Sequence, residues 1–168
     1  DFTDTEWQQK ERLLSLNRVV SEYYHYLLTS HRIGEKARDY LTKRNINQKI
    51  IHIFELGYAP DSWNSLLNYL KKKKFTPSEG VDAGVVIKSE KGSFYDRFRK
   101  RIIFPLFNQN GQVIGFSGRT LTNEKGAKYI NTPETILYHK RETLFGINKT
   151  KDAIKKKGTA LLVEGEFD

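Results

Sequence analysis

The stretch RIIFPLFNQNGQVIGF, residues 101–116, predicts the central element of the fold, because it contains two apolar strands joined by a tight turn. Residues 101–107 and 112–116 are rich in β-branched and aromatic side chains, which favour strands. The pair Asn110-Gly111 between them is a strong hairpin signal, because both residues tolerate the positive φ that tight hairpin turns require. Pro105 lacks an amide hydrogen and therefore predicts a position at a sheet edge or a bulge.

The segments on either side of this hairpin predict an α+β fold. Apolar residues three and four positions apart, from Leu13 to Leu27, form one stripe and predict a helix over roughly 5–29. The further predicted elements are helices over 35–44, 48–56 (capped by Asn47), 61–74 (capped by Asp61 or Ser62) and 149–157, and strands over 85–87 and 159–163. They predict a mainly helical part, residues 1–84, packed on a mixed β-sheet that begins near Val85 in a basic part, residues 85–158.

The positive charge is concentrated in one stretch of the chain. The 168 residues carry a formal net charge of +9. Residues 97–157 hold 14 basic and 4 acidic side chains, whereas the remainder holds 15 basic and 16 acidic ones. A basic stretch of this kind predicts a polyanionic partner, and a solvated lysine face is the alternative. The run Lys71–Lys74 lies outside it and is interpreted as a solvated helix end.

Composition and missing motifs exclude several functions for this segment. It has no cysteine, which excludes disulfides and thiolate zinc sites. It has no apolar run long enough to span a membrane, no secretory leader and no glycine-rich phosphate loop. It also has no methionine, which predicts a processed or excised piece of a longer protein.

Three arginines in the basic stretch are candidates for phosphate binding. Arg97, Arg99 and Arg101 alternate along the chain and share one face if the segment is a strand. Guanidinium groups placed together repel one another unless an anion lies over them, and phosphate suits their geometry. The alternative is local pairing with the carboxylate of Asp96 or Glu90.

Three further cations occur at places of close backbone approach or in aperiodic sequence. Arg119 follows the glycine-containing strand end, and Lys128 and Lys140 interleave with tyrosines in a region without periodicity. Tyrosines and lysines mixed in this way can stack bases and hold phosphates.

The last five residues, EGEFD, form an acidic turn after an apolar run. At the carboxyl end of a strand in an open α/β sheet, such a turn faces bound ligands. Glu164 and Asp168, four residues apart, can flank Mg²⁺, which prefers oxygen ligands.

The motifs taken in order resemble the bacterial replicative DNA primases of the DnaG type. They cover nearly the whole chain and comprise ARDYLTKR (37–44), FELGYAP (54–60), YDRFR (95–99), RIIFPL (101–106), GQVIGFSGR (111–119), KYINTPET (128–135), HKRETLFG (139–146) and LLVEGEFD (161–168). The resemblance implies the amino-terminal lobe of the RNA-polymerase core, with residues 159–168 beginning a TOPRIM fold. The implied enzyme is a nucleotidyltransferase that makes RNA primers on single-stranded DNA during replication.

The resemblance also implies roles for particular residues. Glu164 would be the catalytic, metal-binding carboxylate, with Asp168 as a nearby metal ligand. Residues implied to bind nucleotide or nucleic acid are Arg119, Lys128, Tyr129, Asn131 and Lys140 at the cleft, and Arg44, Arg97, Arg99 and Arg101 along the template or primer. The implied cofactor is Mg²⁺ or Mn²⁺.

The implied partners are template, primer and nucleoside triphosphates, with a replicative helicase bound through other regions. The implied location is the bacterial cytoplasm, at a replisome or on a mobile element.

Two departures from the family pattern are the absence here of the zinc-binding domain and of the later TOPRIM aspartates, so this piece alone is expected to be inactive. A third is Glu166, at a position where tyrosine is usual, which hints at a plasmid, phage or mobile-element lineage. The competing hypotheses are a non-catalytic single-stranded nucleic-acid-binding module and a lobe of another TOPRIM enzyme, a topoisomerase or nuclease.

Overall fold

A computed structural model describes residues 4–122 and 126–167. The helices of this part are α1 (Asp4–Thr29), α2 (Glu35–Lys43), α3 (Gln48–Ile53), α4 (Ser65–Lys72), α5 (Pro77–Asp82) and α6 (Ile147–Lys157), with short 3-10 turns at Arg32–Gly34 and Lys140–Glu142. The strands are β1 (Gly57–Ala59), β2 (Val86–Lys88), β3 (Phe94–Asp96), β4 (Arg101–Phe107), β5 (Val113–Thr120) and β6 (Tyr129–Asn131). The described residues form no helix long and apolar enough to cross a membrane.

The predicted hairpin is the centre of the fold. β4 and β5 pair antiparallel, and the side-chain Oδ1 of Asn108 closes the turn by accepting from the amides of Asn110 and Gln112, both at 3.0 Å. Gly111 has a φ of 78°, which explains the need for glycine there. Pro105 lies beyond the last residue that pairs with β1 and beside a register shift after Leu106, as its missing amide predicted.

The long amphipathic helix predicted at the start is confirmed as α1. Its apolar stripe, from Leu13 to Leu27, is buried and packs on β1 and β5. Of the predicted caps, the one at α3 is confirmed, whereas α4 begins at Ser65 with Asn64 at its N-cap, so the cap predicted at Asp61 or Ser62 was wrong. Asn47 accepts from the amide of Ile50 at the start of α3, and α6 ends at Gly158 with a φ of 68°.

The sheet differs from the prediction in extent and in strand direction. Its order is β1-β4-β5-β6, and β2 with β3 forms a separate hairpin. All pairings among the described strands are antiparallel, so the mixed sheet that the sequence predicted is not what these strands form. The sheet also includes β1, which lies well before Val85 and directly after the helix predicted over 48–56. The sequence could not predict β1, because a three-residue strand is too short to show periodicity and because its partner, β4, is distant in the chain.

Residues 159–163 do not form the buried strand that their composition predicted. They are unpaired and exposed, and the side chain of Leu161 is 91% accessible. A strand requires a neighbour for its backbone hydrogen bonds, and no described strand adjoins this segment. The α+β class is confirmed, while this strand is not present in the structure.

Candidate nucleic-acid interface

The sheet face directed away from α1 carries two cross-strand rows of side chains. Ile103 and Phe116 pack with α1 on one face, so their neighbours along each strand point to the other. The antiparallel register aligns these neighbours in one row of Ile102, Arg119 and Tyr129 and a second row of Phe104, Ser117 and Asn131. Two of the cleft residues predicted from the sequence, Tyr129 and Asn131, therefore share a face with Arg119.

Arg119 is held in a fixed position on this face. Its side chain is only 6% exposed, its Nε donates to the hydroxyl of Tyr40 at 2.9 Å, and its Nη1 donates to the hydroxyl of Tyr129 at 2.7 Å. Burial lowers the pKa of Arg119, but its hydrogen bonds to Tyr129 and Tyr40 outweigh this, so the net shift is upward. The result is a permanently charged group with restricted orientation, a suitable arrangement for binding phosphate.

The acidic turn contacts the same face through Phe167. The Phe167 ring centroid lies 4.8 Å from the guanidinium carbon of Arg119, 5.2 Å from that of Arg44 and 5.1 Å from the ring of Phe104. Burial is the main cause of the raised pKa of Tyr129, and the negative charge of Glu166 adds to it. The structure thus brings the turn that follows residues 159–163 beside Arg119.

The turn supplies few ligands for a metal ion in this structure. Glu164, the predicted catalytic and metal-binding carboxylate, is solvent-exposed, and Asp168 lies outside the described residues. The described part of the chain contains no group of three or more histidine, cysteine, aspartate or glutamate side chains arranged to hold a metal. Glu164 alone does not fit a complete magnesium site.

The basic segment before β4 is not a strand, although its arginines converge. Lys100 has a φ of 51°, so strand alternation does not operate across residues 97–100. Arg97, Arg99 and Arg101 nevertheless line one cavity of about 280 Å³. They converge because the chain turns around this cavity. The predicted strand was therefore wrong, although the three arginines do lie together.

Main-chain oxygens hold these arginines in place. Nε of Arg97 donates to the carbonyl oxygen of Asn131 at 3.0 Å, and the Arg101 guanidinium donates to those of Gly118 and Ala127, each at 3.0 Å. Burial lowers the pKa of both Arg97 and Arg101. These bonds orient the guanidinium groups but leave their net charge uncompensated.

Pairing with a carboxylate, the alternative for these arginines, is not observed among the described residues. The carboxylate of Asp96 accepts from the amides of Leu66 and Leu67 at the start of α4, at 2.8 and 2.9 Å. Arg99 donates only to the main-chain oxygen of Asp96. Asp61, which also lines the cavity, pairs with Lys100 at 3.2 Å, so the described residues leave the three guanidinium groups without a carboxylate partner and the cavity with a net positive charge.

An aromatic surface lies beside this cavity. The guanidinium carbon of Arg99 is 3.9 Å from the ring centroid of Trp63, and Tyr95 meets Trp63 edge-on at 5.4 Å. Trp63 is 61% exposed, which is unusual for a tryptophan and typical of a stacking surface.

The sequence does not single out Trp63 or Tyr40 as binding residues. Tyr40 lies inside the motif ARDYLTKR and Trp63 near the start of the helix predicted over 61–74, and neither position carries a local signal for its contact with an arginine.

The remaining predicted cations lie in three different places. Lys128 and Lys140 are exposed, Lys128 at the start of β6 and Lys140 in the loop after it. Arg44 stacks on Tyr40 and Phe167 beside Arg119. Arg101 pairs in register with Thr120, the neighbour of Arg119, so Arg101 and Arg119 point to opposite faces of the sheet. The structure thus divides the predicted binding residues among a sheet face, the cavity lined by Arg97, Arg99 and Arg101, and the exposed positions of Lys128 and Lys140.

The fold and this interface define an α+β domain with a fixed cation on a sheet face, next to an acidic turn, and three further arginines around a nearby cavity. Comparison with known proteins assigns the family. The family model described as "DNA primase catalytic core, N-terminal domain" matches residues 23–151, and this chain belongs to that family.

The chain is 38% identical, over all of its length, to a DNA primase of Enterococcus faecalis, of which it covers 28%. Its structure resembles that of the RNA polymerase domain of Mycobacterium tuberculosis primase DnaG, with a TM-score of 0.85, 37% identity and coverage of 93% of this chain and 50% of that one. It also resembles a DnaG primase catalytic domain bound to single-stranded DNA, with a TM-score of 0.80, 34% identity and coverage of 87% and 46%. The chain thus spans about a quarter to a half of the proteins it matches.

Proposed function

We propose that this chain is the part of a DNA primase that binds the template and the phosphates of primer and nucleotide while the whole protein synthesises RNA primers. The observation that carries the proposal is Arg119, buried, charged and held by two tyrosines within 5 Å of the ring of Phe167 in the acidic turn. A cation fixed beside a carboxylate turn matches the needs of phosphoryl transfer, which depends on positioning and charge neutralisation.

In the proposed reaction, the 3′-oxygen of the primer forms a bond to the α-phosphorus of an incoming nucleoside triphosphate. The bond from that phosphorus to the bridging oxygen breaks, pyrophosphate leaves and the hydroxyl proton passes to solvent. Arg119, Lys128 and Lys140 would neutralise the negative charge of the triphosphate or primer. When bound, Mg²⁺ or Mn²⁺ would stabilise charge on the reacting phosphate. Glu164 would supply one of its ligands, with the others, Asp168 among them, from outside the described residues.

The cavity lined by Arg97, Arg99 and Arg101 and the neighbouring Trp63 would guide single-stranded template. Main-chain bonds preorganise the arginines, and the exposed ring offers a face to any base. A related catalytic domain bound to single-stranded DNA supports this class of ligand. We expect the whole protein to act with a replicative helicase at replication forks in the cytoplasm.

Charge reversal tests the proposal. The variant Lys128→Glu with Lys140→Glu should weaken binding of single-stranded DNA and lower primer synthesis by the full-length protein that carries this chain. For each phosphate that the variant no longer neutralises, the slope of log affinity against log salt should fall by about 0.7.

The matched control is Lys71→Glu with Lys72→Glu, which makes the same change in net charge at the end of α4. The control should bind DNA as the wild type does. Equal losses in both variants would show that net charge alone drives binding, and the proposed interface would be wrong.

A further inference from the structure

The segment Thr132-Pro133-Glu134-Thr135 follows β6 and lies between the two cations Lys128 and Lys140 in the chain. We infer that Glu134 is a positioning residue that fixes Lys140 relative to Arg119. This inference rests on the proposed function, because it assumes that both cations face the same phosphate groups.

Thr132 attaches the segment to the strand that carries Arg119. Its amide donates to the carbonyl oxygen of Phe116 at 2.8 Å, and its Oγ1 accepts from the amide of Phe116 at 2.9 Å. Thr132 is buried, and Pro133 packs against Gly84, where an added Cβ would lie 2.6 Å from the proline ring. The start of the segment is therefore held rigidly against β5.

Glu134 connects this fixed point to the loop that carries Lys140. Its Oε1 accepts from the amide of Lys140 at 2.9 Å, and its Oε2 accepts from Nδ1 of His139 at 3.1 Å. Each carboxylate oxygen thus holds one of two consecutive residues. The same two hydrogen bonds, with that of Lys140 the larger cause, keep the pKa of Glu134 below its ordinary value.

Thr135 closes the loop on the other side. Its Oγ1 accepts from the amides of Leu137 and Tyr138, at 3.1 and 3.0 Å, and Tyr138 is buried against Leu106 and Ile114. Thr132 and Thr135 therefore anchor the loop to the protein, and Glu134 bonds to Lys140 itself. The exposed carboxylate is available to position a backbone with little effect on folding.

Three variants of the full-length protein test the inference. Glu134→Ala removes both acceptors, and Glu134→Gln keeps an amide oxygen for the Lys140 amide. Glu142→Ala removes the same charge from the same loop but no acceptor from Lys140. In Glu134→Ala we expect amide exchange at Lys140 to accelerate about tenfold or more, as expected when a hydrogen bond to a charged group is removed. The KM for nucleotide should rise while the thermal midpoint stays unchanged.

Glu134→Gln should restore most of both properties, and Glu142→Ala should behave as wild type. In a Lys140→Ala background, Glu134→Ala should cause no additional rise in KM, because both changes act through one residue. If Lys140→Ala impairs the enzyme and Glu134→Ala does not, the inference is wrong and the proposed function stands. If Lys140→Ala itself has no effect on nucleotide or DNA binding, the assigned role of Lys140 and the inference both fail.

Discussion

The ring of Phe167 lies over the guanidinium of Arg119, with 4.8 Å between the ring centroid and the central carbon. This contact joins two parts of the chain that are 48 residues apart in sequence and have opposite charge. Because Phe167 also packs on Phe104 and Tyr40, it holds the acidic turn against the sheet. These contacts of Phe167 therefore help to set the position of the carboxylates relative to the cations.

Replacing Phe167 should release the acidic turn without unfolding the domain. Phe167→Ala removes a half-buried ring, and we expect a loss of about 1–2 kcal/mol of local stability from the apolar area exposed. Amide exchange over residues 164–167 should accelerate while exchange in β4 and β5 stays slow. Phe167→Leu, which keeps apolar bulk, is the control. Faster exchange throughout the sheet in Phe167→Ala would contradict a local role.

Replacing Arg119 by lysine should impair function although the charge is kept. An ammonium cannot donate to Tyr40 and Tyr129 in the planar geometry of a guanidinium, so the orientation of the cation is lost. We expect primer synthesis by the full-length protein that carries this chain to fall by a factor of 10 or more, about 1.4 kcal/mol in the transition state. Full activity in Arg119→Lys would show that only the charge is required.

Trp63 and Arg99 should contribute to DNA binding in different ways. Trp63→Ala should weaken single-stranded DNA binding by about 1–3 kcal/mol, the usual value for a stacked base, with an unchanged salt slope. Arg99→Ala should lower the slope by about 0.7 if it contacts one phosphate. Both effects can be measured by titration at several salt concentrations. Trp7 is the second tryptophan of this chain, and Trp7→Phe leaves Trp63 as the reporter. The fluorescence of Trp63 in that variant should be quenched by DNA, and an unquenched signal would exclude stacking.

Asp96 should give the protein an unusual dependence on pH. Burial raises the pKa of Asp96, and this effect is larger than the lowering caused by its hydrogen bonds from the amides of Leu66 and Leu67. The folded state therefore binds this proton more tightly than the unfolded state. The contribution of Asp96 to stability falls as pH rises from the unfolded pKa of 3.8 through the raised folded value.

The variant Asp96→Asn tests this role by urea unfolding between pH 3 and pH 7. It should remove that pH dependence and destabilise the neutral-pH protein by about 1–3 kcal/mol, because its NH₂ group faces an amide of α4 that the carboxylate accepts from. Asp82→Asn, a change of the same type at the end of α5, should have little effect. Identical pH profiles for wild type and Asp96→Asn would refute the assignment.

Local signals in the sequence were sufficient for much of the fold. Periodic apolar residues predicted α1, and the Asn110-Gly111 pair predicted the β4–β5 hairpin, because helix periodicity and turn conformation depend on residues close in the chain. The ordered motifs also predicted the family. The chain has no comparable local signal for β1, whose pairing with β4 joins residues more than 40 positions apart.

The residue types of the interface can be read from the sequence alone: arginines and lysines lie in one stretch, and carboxylates follow an apolar run. Tertiary structure alone decided which of them meet. It placed Arg101 and Arg119 on opposite faces, gave Arg119 two tyrosine partners, and used Asp96 to cap α4 instead of pairing with arginine. The reason is physical, since strand register and packing between distant segments set these contacts, and neither is encoded in the spacing of neighbouring residues.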